Sequence, residues 1–418
     1  MKGHVYLLAP SFFPIGVIGA HRPYRLGKYL VERGWEVEVY AWKYNFYGVE
    51  DSAAQRAAER IFSDLHYVAS DWERVAYGLM NVHRKLGYFL WKAEMPYQGY
   101  HWGKRVVSAI LQKHARRGAP GVLWVCMNPY GPGVAAVRKA RRAGLPVVLD
   151  YRDPWTINPY YQTTRPSWKI QWDRKGERLM LQQADAVVFT ARDMREAMVG
   201  EFPFIRPKSY VVYNGVDEDA ILARLQTGMR PQKLKMIYTG AFYGARHPRV
   251  LLRALADYIH RFGRQYELVL VGHGAVELQP MVRAHGLEEV VRCRPPVSRQ
   301  EAIAMLEHAD VALLINGIGK EYEMFIPGKF YDYLAAMKPM FCVGGGEVAE
   351  WIEKHDLGVA VPHREEEIIR GLRRMYEHWE QFHYGRERVM QWSAARSAAA
   401  MEEVFLSVLG QKVSAGGE

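Results

Sequence analysis

A lysine and an acid, three residues apart, follow a Pro-Gly pair and open an apolar segment of this sequence. They are Lys329 and Asp332, after Pro327 and Gly328. If the segment is a helix, its start offers free backbone N–H groups and the positive end of the helix dipole to an anion. Lys329 would add a mobile cation, and Asp332 could accept hydrogen bonds from sugar hydroxyls. The combination suits a nucleotide diphosphate, although an ordinary loop-to-helix junction explains the same residues.

Glycines and a second cation follow two earlier runs that read as strands. Gly240 and Arg246 come after residues 235–239, and Gly272 and Gly274 come after residues 267–271. Glycines permit close approach of the backbone to a ligand, and Arg or Lys can offset the charge that grows on a leaving diphosphate. We therefore predict catalytic roles for Arg246 and Lys329. We predict donor-binding roles for Gly240, Gly272, Gly274, Gly328 and Asp332. The Gly-His-Gly at 272–274 also fits a simple structural turn.

The elements that must position these residues alternate between short apolar strands and amphipathic helices. The alternation runs through residues 1–222 and restarts in residues 223–390. Such alternation predicts the α/β class, with two parallel sheets covered by helices on both faces. A terminal helix over 391–410 is expected to cross back to the first domain, ahead of a disordered tail at 411–418. Two such sheets would bind ligands at their carboxyl edges, across a cleft.

An aromatic-rich insert interrupts the first domain at residues 72–105. Its rings and lysines favour an interface with a membrane or an acceptor, because both side-chain types suit a boundary between water and an apolar phase. A helical hairpin that uses the aromatic rings as core is the competing interpretation.

Composition narrows the classes of function. The formal net charge is +11, but the basic residues are dispersed and accompany no nucleic-acid motif, so phosphate-bearing ligands and a membrane surface are favoured over nucleic acid. The three cysteines are far apart and form no metal spacing. The first apolar run is too short for a signal peptide, and no stretch has the roughly 18 apolar residues of a membrane span. We expect a cytoplasmic protein, associated at most with the inner face of the membrane.

Five places in the chain resemble the retaining, nucleotide-sugar-dependent glycosyltransferases of the GT-B fold. They are the Pro10 to Gly19 loop with Arg33-Gly34-Trp35-Glu36-Val37, the run Asp150-Tyr151-Arg152-Asp153-Pro154-Trp155, Asn214-Gly215-Val216-Asp217, Tyr238-Thr239-Gly240 with Arg246, and Asp332 ahead of Pro339. The second run is similar to a subset that builds surface polysaccharides. In the family's Glu-x7-Glu motif, the first acid would fall at Met324, beside Glu323, and the second is Asp332.

The resemblance implies transfer of a sugar from a UDP- or GDP-linked donor to a glycan, lipid-linked or small acceptor, without a metal. It places Gly19 in the donor-binding loop and Asp153 on the acceptor side as a base or orienting group. Asp153 could instead cap a turn and pair with Arg152. A nucleotide-sugar 2-epimerase of the same fold and a non-catalytic sugar-nucleotide-binding protein remain open alternatives.

Overall fold

The protein consists of two compact units. A computed structural model describes residues 2–221 and 229–415, without the side chains of 411–415. One unit comprises Met1–Gly215 together with Ala394–Glu418, and the other comprises Val216–Ser393. The predicted boundary between residues 222 and 223, and the end of the predicted tail at 416–418, lie outside the described residues.

The first unit is built on a seven-stranded sheet in the order β3-β2-β1-β4-β5-β6-β7, with parallel neighbours throughout. Every residue of β1 is buried, as expected for a strand covered on both faces. The strands are β1 (Gly3–Leu8), β2 (Trp35–Trp42), β3 (Asp64–Val68), β4 (Gly121–Cys126), β5 (Val147–Tyr151), β6 (Ala186–Phe189) and β7 (Ser209–Val211).

In the described part of the first unit, nine α-helices precede the second unit. The predicted insert forms two of them, α3 and α4, and the start of a third, α5. The helices are α1 (His21–Glu32), α2 (Ser52–Ile61), α3 (Asp71–Val82), α4 (Arg84–Lys92), α5 (Tyr100–Arg117), α6 (Gly131–Ala140), α7 (Pro159–Gln162), α8 (Ser167–Gln183) and α9 (Arg192–Glu201).

The second unit repeats this organisation with a six-stranded parallel sheet in the order β10-β9-β8-β11-β12-β13. Its strands are β8 (Leu234–Thr239), β9 (Tyr266–Val271), β10 (Val291–Arg294), β11 (Val311–Ile315), β12 (Met340–Val343) and β13 (Gly358–Val361). Its helices are α10 (Arg249–Phe262), α11 (Gln279–Ala284), α12 (Arg299–Glu307), α13 (Gly328–Ala335), α14 (Glu347–Lys354), α15 (Glu365–His378) and α16 (Arg386–Val389).

The last helix, α17 (Ala394–Ala415), packs on the first unit. Its buried residues, among them Met401 and Phe405, share one hydrophobic core with β1, β2, β4 and α1. Glu402 pairs there with Lys2 and Arg33 and accepts a hydrogen bond from Trp35. The predicted α/β class, with two Rossmann-like sheets and a terminal helix returning to the first domain, is confirmed.

Among the residues that the structure describes, no helix combines the length and the apolar character needed to cross a lipid bilayer.

Candidate functional site

The strand order of the second sheet reverses between β8 and β11, which are neighbours. Chain connections leave such a point in opposite directions, so the loops at its carboxyl edge separate and leave room for a ligand. The loop after β8 carries Gly240 and Arg246, and the segment after β11 leads into α13. The Tyr333 hydroxyl fastens α13 to both strands, since it donates to the Leu313 carbonyl at 3.1 Å and accepts from the Thr239 N–H at 3.3 Å. The structure therefore brings three predicted site residues, Gly240, Arg246 and Lys329, to one sheet edge.

Lys329 lies directly against the loop after β8. Its ammonium is 3.6 Å from the centre of the Tyr238 ring. A methyl group added to Gly240 would lie 2.3 Å from Lys329 Cε and 2.4 Å from Nζ, and Gly240 has a φ of +146°. A glycine at 240 is thus required both by its backbone conformation and by the lysine packed against it.

The two cations of the site have few partners among the described residues. Within the part of the chain that the structure describes, Lys329 has neither a hydrogen bond nor an ion pair, and the buried Nε of Arg246 has no hydrogen-bond partner. Burial first, and repulsion from Arg246 second, lower the pKa of Lys329 well below its ordinary value, while Asp332 acts weakly in the opposite direction. Two cations held together in this way favour an anionic ligand.

Asp332 lies on the first turns of α13 but is already engaged. Arg299 of α12 donates to its carboxylate at 3.1 Å, and both side chains are about half exposed. The helix begins at Gly328, and its N-cap residue, Pro327, makes no side-chain hydrogen bond to it. Binding of an anion at this helix start stays a prediction. Arg299 is a site neighbour that sequence reasoning missed, because it lies in a different helix and no local motif links it to Asp332.

Gly272 and Gly274 have a structural explanation. A methyl group on Gly272 would lie 2.2 Å from the Gly240 carbonyl oxygen, and one on Gly274 would lie 2.7 Å from the Phe242 carbonyl oxygen. Both glycines have positive φ angles. They let the loop after β9 pack closely on the loop after β8, so they shape the site through that loop.

A pocket of about 520 Å³ opens beside the segment that follows β11. Its lining includes Lys320, Glu323, Gly345 and His363. The Glu323 carboxylate lies against Gly345, where a methyl group would come within 2.4 Å of it, whereas Met324 is buried. Of the two residues considered for the first acid of the Glu-x7-Glu motif, Glu323 therefore places a carboxylate in a pocket and Met324 does not.

In the sheet of the first unit, the strand order reverses between the neighbouring strands β1 and β4. A buried ion pair lies near this point. Arg22 of α1 makes a bidentate contact with Asp150 at the end of β5, with distances of 2.9–3.1 Å. Arg22 also donates to the Val212 and Tyr213 carbonyls and to the Asn214 side chain. Sequence reasoning did not single out this pair, because its members are separated by 128 residues.

Asp153 and Gly19 both lie next to Arg152. The Arg152 guanidinium donates to the Asp153 carboxylate at 3.2 Å, which is the salt bridge that the turn-cap interpretation predicted. A methyl group on Gly19 would lie 2.6 Å from the same guanidinium. Gly19 and Arg152 line a cavity of about 20 Å³, with room for little more than one water molecule. The structure places Gly19 and Asp153 in the first unit and the other predicted site residues in the second.

Among the residues that the structure describes, two groups of side chains have ligand types and spacing compatible with a metal ion, and they share Glu38: His4, Glu36 and Glu38, and Glu38, Asp64 and His66. Glu38 already pairs with Lys113 at 2.7 Å and with Arg117. The two cations account for this buried acid without a metal, and metal independence stays a prediction.

Family comparisons agree with this organisation. The family model of Glycosyltransferase Family 4 matches residues 21–220, and that of Glycosyl transferases group 1 matches residues 233–378. None of the curated proteins compared with the chain matches it significantly.

Solved structures show the same fold at low sequence identity. A glycosyltransferase from Rickettsia africae has a TM-score of 0.66 at 12% identity and covers 98% of this chain and 99% of its own. Sucrose-phosphate synthase from Thermosynechococcus elongatus has a TM-score of 0.64 at 14% identity, covering 98% and 100%. HepE from Anabaena in complex with UDP-glucose has a TM-score of 0.57 at 14% identity, covering 99% of each chain.

The matches to the two glycosyltransferase models span most of the chain, and each lies on one of the two Rossmann-like units. The chain therefore belongs to the glycosyltransferases of the GT-B fold.

Proposed function

We propose that the protein transfers a hexose-type sugar from a nucleotide diphosphate sugar to a glycan, lipid-linked or small-molecule acceptor, with retention of the anomeric configuration. The second unit binds the donor. The observation that supports this assignment is Lys329, which has no ion pair among the described residues and lies at the β8/β11 reversal beside Arg246.

Lys329, Arg246 and the start of α13 would bind the donor diphosphate together. Negative charge grows on the leaving diphosphate as the glycosidic bond breaks, and cations placed in advance stabilise it without reorganisation. This role needs no metal ion. A diphosphate would also relieve the repulsion between the two cations, so ligand binding and charge neutralisation would be coupled.

The identity of the donor base is a second part of the proposal. HepE, whose structure was solved with UDP-glucose, has the same fold, so uridine nucleotides are the first to test and GDP-linked sugars the second. Asp332 is proposed to contact the ribose, for which it must give up or share its ion pair with Arg299.

Retention follows if the acceptor hydroxyl attacks from the face of the leaving group and passes its proton to the β-phosphate. No protein nucleophile is then essential. The first unit is proposed to bind the acceptor, with Asp153 as a base or orienting group. The Asp-Tyr-Arg-Asp-Pro-Trp run at 150–155 supports an acceptor from surface polysaccharide synthesis.

The test is calorimetric titration with UDP, GDP and their sugars, followed by turnover with and without acceptor. If no nucleotide diphosphate binds, the proposal fails. Donor consumption that needs no acceptor would instead indicate epimerisation. Asp153→Asn is expected to leave donor affinity unchanged and to lower turnover, and an unchanged turnover would remove Asp153 from the reaction.

A further inference from the structure

The corner between α3 and α4 exposes apolar side chains that the core does not need. Val82 is 86% exposed, Phe89 67% and Leu86 48%. The inner face of α4 is anchored independently, because Trp91 is fully buried and stacks on Phe46 with ring centres 4.4 Å apart. Clustered apolar side chains on an outer face that packing does not require indicate an interaction surface.

The same corner is basic. The sequence contains neither Asp nor Glu from Arg74 to Ala93, while Arg74, Arg84, Lys85 and Lys92 fall within that range. Arg84 and Lys85 are exposed and lie next to Leu86. The charges therefore flank the apolar side chains, so that the apolar groups can enter a nonpolar layer while the long basic side chains stay at its polar boundary.

The corner is firmly held in place. Gly87 packs so closely on α3 that a methyl group there would lie 2.3 Å from the Met80 nitrogen. The His83 imidazole caps α4 by accepting from the Leu86 N–H at 3.2 Å. A preformed surface of this kind loses little conformational freedom on binding.

Two exposed tryptophans also lie on α8 of the same unit. Trp168 and Trp172 lie one turn apart near the start of that helix and are exposed. Between them, Lys169 lies 5.6 Å from the ring of Tyr97, which follows α4 in the chain. Tryptophan suits the boundary between water and an apolar phase, because its ring is apolar and its N–H is polar.

From this arrangement we infer that the α3–α4 corner, residues 82–89, docks on an anionic phospholipid surface. Its positive charge complements anionic headgroups, and its apolar residues reach the upper acyl region. Pairing of the corner with a second copy of itself would bring Arg84 and Lys85 against their own equivalents, and like charges repel. The sequence left open whether residues 72–105 are core or interface. Trp91 and Trp102 belong to the core, and the corner carries the interface.

The experiment is flotation of the full-length protein with vesicles of phosphatidylcholine alone and of phosphatidylcholine mixed with phosphatidylglycerol. The protein is expected to float with the mixed vesicles, to float much less with the neutral ones, and to detach as salt is raised. Leu86→Ser with Phe89→Ser should weaken partitioning by about tenfold or more. Arg84→Gln with Lys85→Gln should abolish the preference for anionic lipid.

Matched controls are available on two other helices of the first unit, α2 and α17. Leu406 of α17 is 49% exposed, close to the value for Leu86, so Leu406→Ser should partition like the wild type. Arg56→Gln with Arg60→Gln on α2 removes the same charge as the corner variant. Binding of the wild type to neither vesicle, or equal losses in corner and control variants, would overturn the inference. So would a dimer in light scattering that the corner variants dissociate. None of these readouts involves a nucleotide, so they are independent of the proposed donor chemistry.

Discussion

Lys329→Met should have opposite effects on nucleotide binding and on the stability of the ligand-free protein. Methionine keeps most of the length and apolar contact of the lysine stem but removes the ammonium. In the free protein that ammonium has Arg246 as a repelling neighbour, and within the described part of the chain it is stabilised by the Tyr238 ring and by attraction to Asp332. Removal of the charge should therefore leave the melting temperature unchanged or raise it.

The cost of the change should appear when nucleotide binds. A hydrogen bond between an ammonium and a phosphate contributes about 1.5–3 kcal/mol. Loss of one such bond weakens binding by about 10- to 150-fold, since each 1.4 kcal/mol is a factor of ten. The cation–π contact does not reduce this figure much, because an ammonium has three N–H groups and can donate to a phosphate while it stays over the ring.

The measurement is the UDP dissociation constant by calorimetry, together with the melting temperature of the free protein. Lys233→Met is the control, because Lys233 is exposed at the amino end of β8 and carries the same charge. A Lys329→Met variant with wild-type affinity for every nucleotide that binds would refute the diphosphate role. A variant with strongly lowered stability and unchanged affinity would show that the lysine is structural.

Three further outcomes follow from the same geometry. Gly240→Ala should displace Lys329, weaken nucleotide binding and cost about 1–3 kcal/mol of stability; Gly263→Ala, also at positive φ but with open space around it, should keep wild-type affinity. Asp150→Asn should lower the stability of the first unit by about 3–5 kcal/mol in urea unfolding, because it removes the carboxylate charge that is paired with the buried Arg22. Nucleotide binding should be accompanied by proton uptake at Lys329, because its pKa is lowered in the free protein and a bound diphosphate would raise it. The affinity should therefore fall as the pH rises from the pKa of Lys329 in the free protein to its pKa in the complex. Calorimetry in buffers of different ionisation enthalpy measures the uptake, which Lys329→Met should reduce.

The fold could be predicted from the sequence because the signals for the strands and helices of both sheets are local. Parallel strands covered on both faces need continuous apolar runs, and the helices between them end at residues such as Gly34 and Gly144, which have positive φ angles. These signals span only a few residues each. The cations Arg246 and Lys329 could be found in the same way, because each follows a strand and a glycine-containing loop.

What the sequence could not supply were contacts between distant segments. Arg22 with Asp150 and Arg299 with Asp332 each join different elements, and no local pattern encodes such pairs. The contact of Gly272 with the Gly240 backbone is also long-range, and a donor-binding role for Gly272 stays a prediction. The sequence also could not show which side of α4 is exposed, because an aromatic-rich segment has the same composition whether its rings face the core or the solvent.

The Arg299–Asp332 ion pair determines whether Asp332 is available to a ribose. Both side chains are about half exposed, and exposed pairs of this kind contribute about 0–1 kcal/mol. A hydrogen bond from a sugar hydroxyl to a carboxylate contributes about 1.5–3 kcal/mol. The ribose can therefore displace Arg299 from one carboxylate oxygen at little cost, or share the carboxylate with it. In the second case Arg299 also holds the Asp332 carboxylate in place, and Arg299→Gln should weaken binding of UDP without changing the affinity for inorganic pyrophosphate, which has no ribose. An equal loss for both ligands would show instead that Arg299 acts on the phosphates.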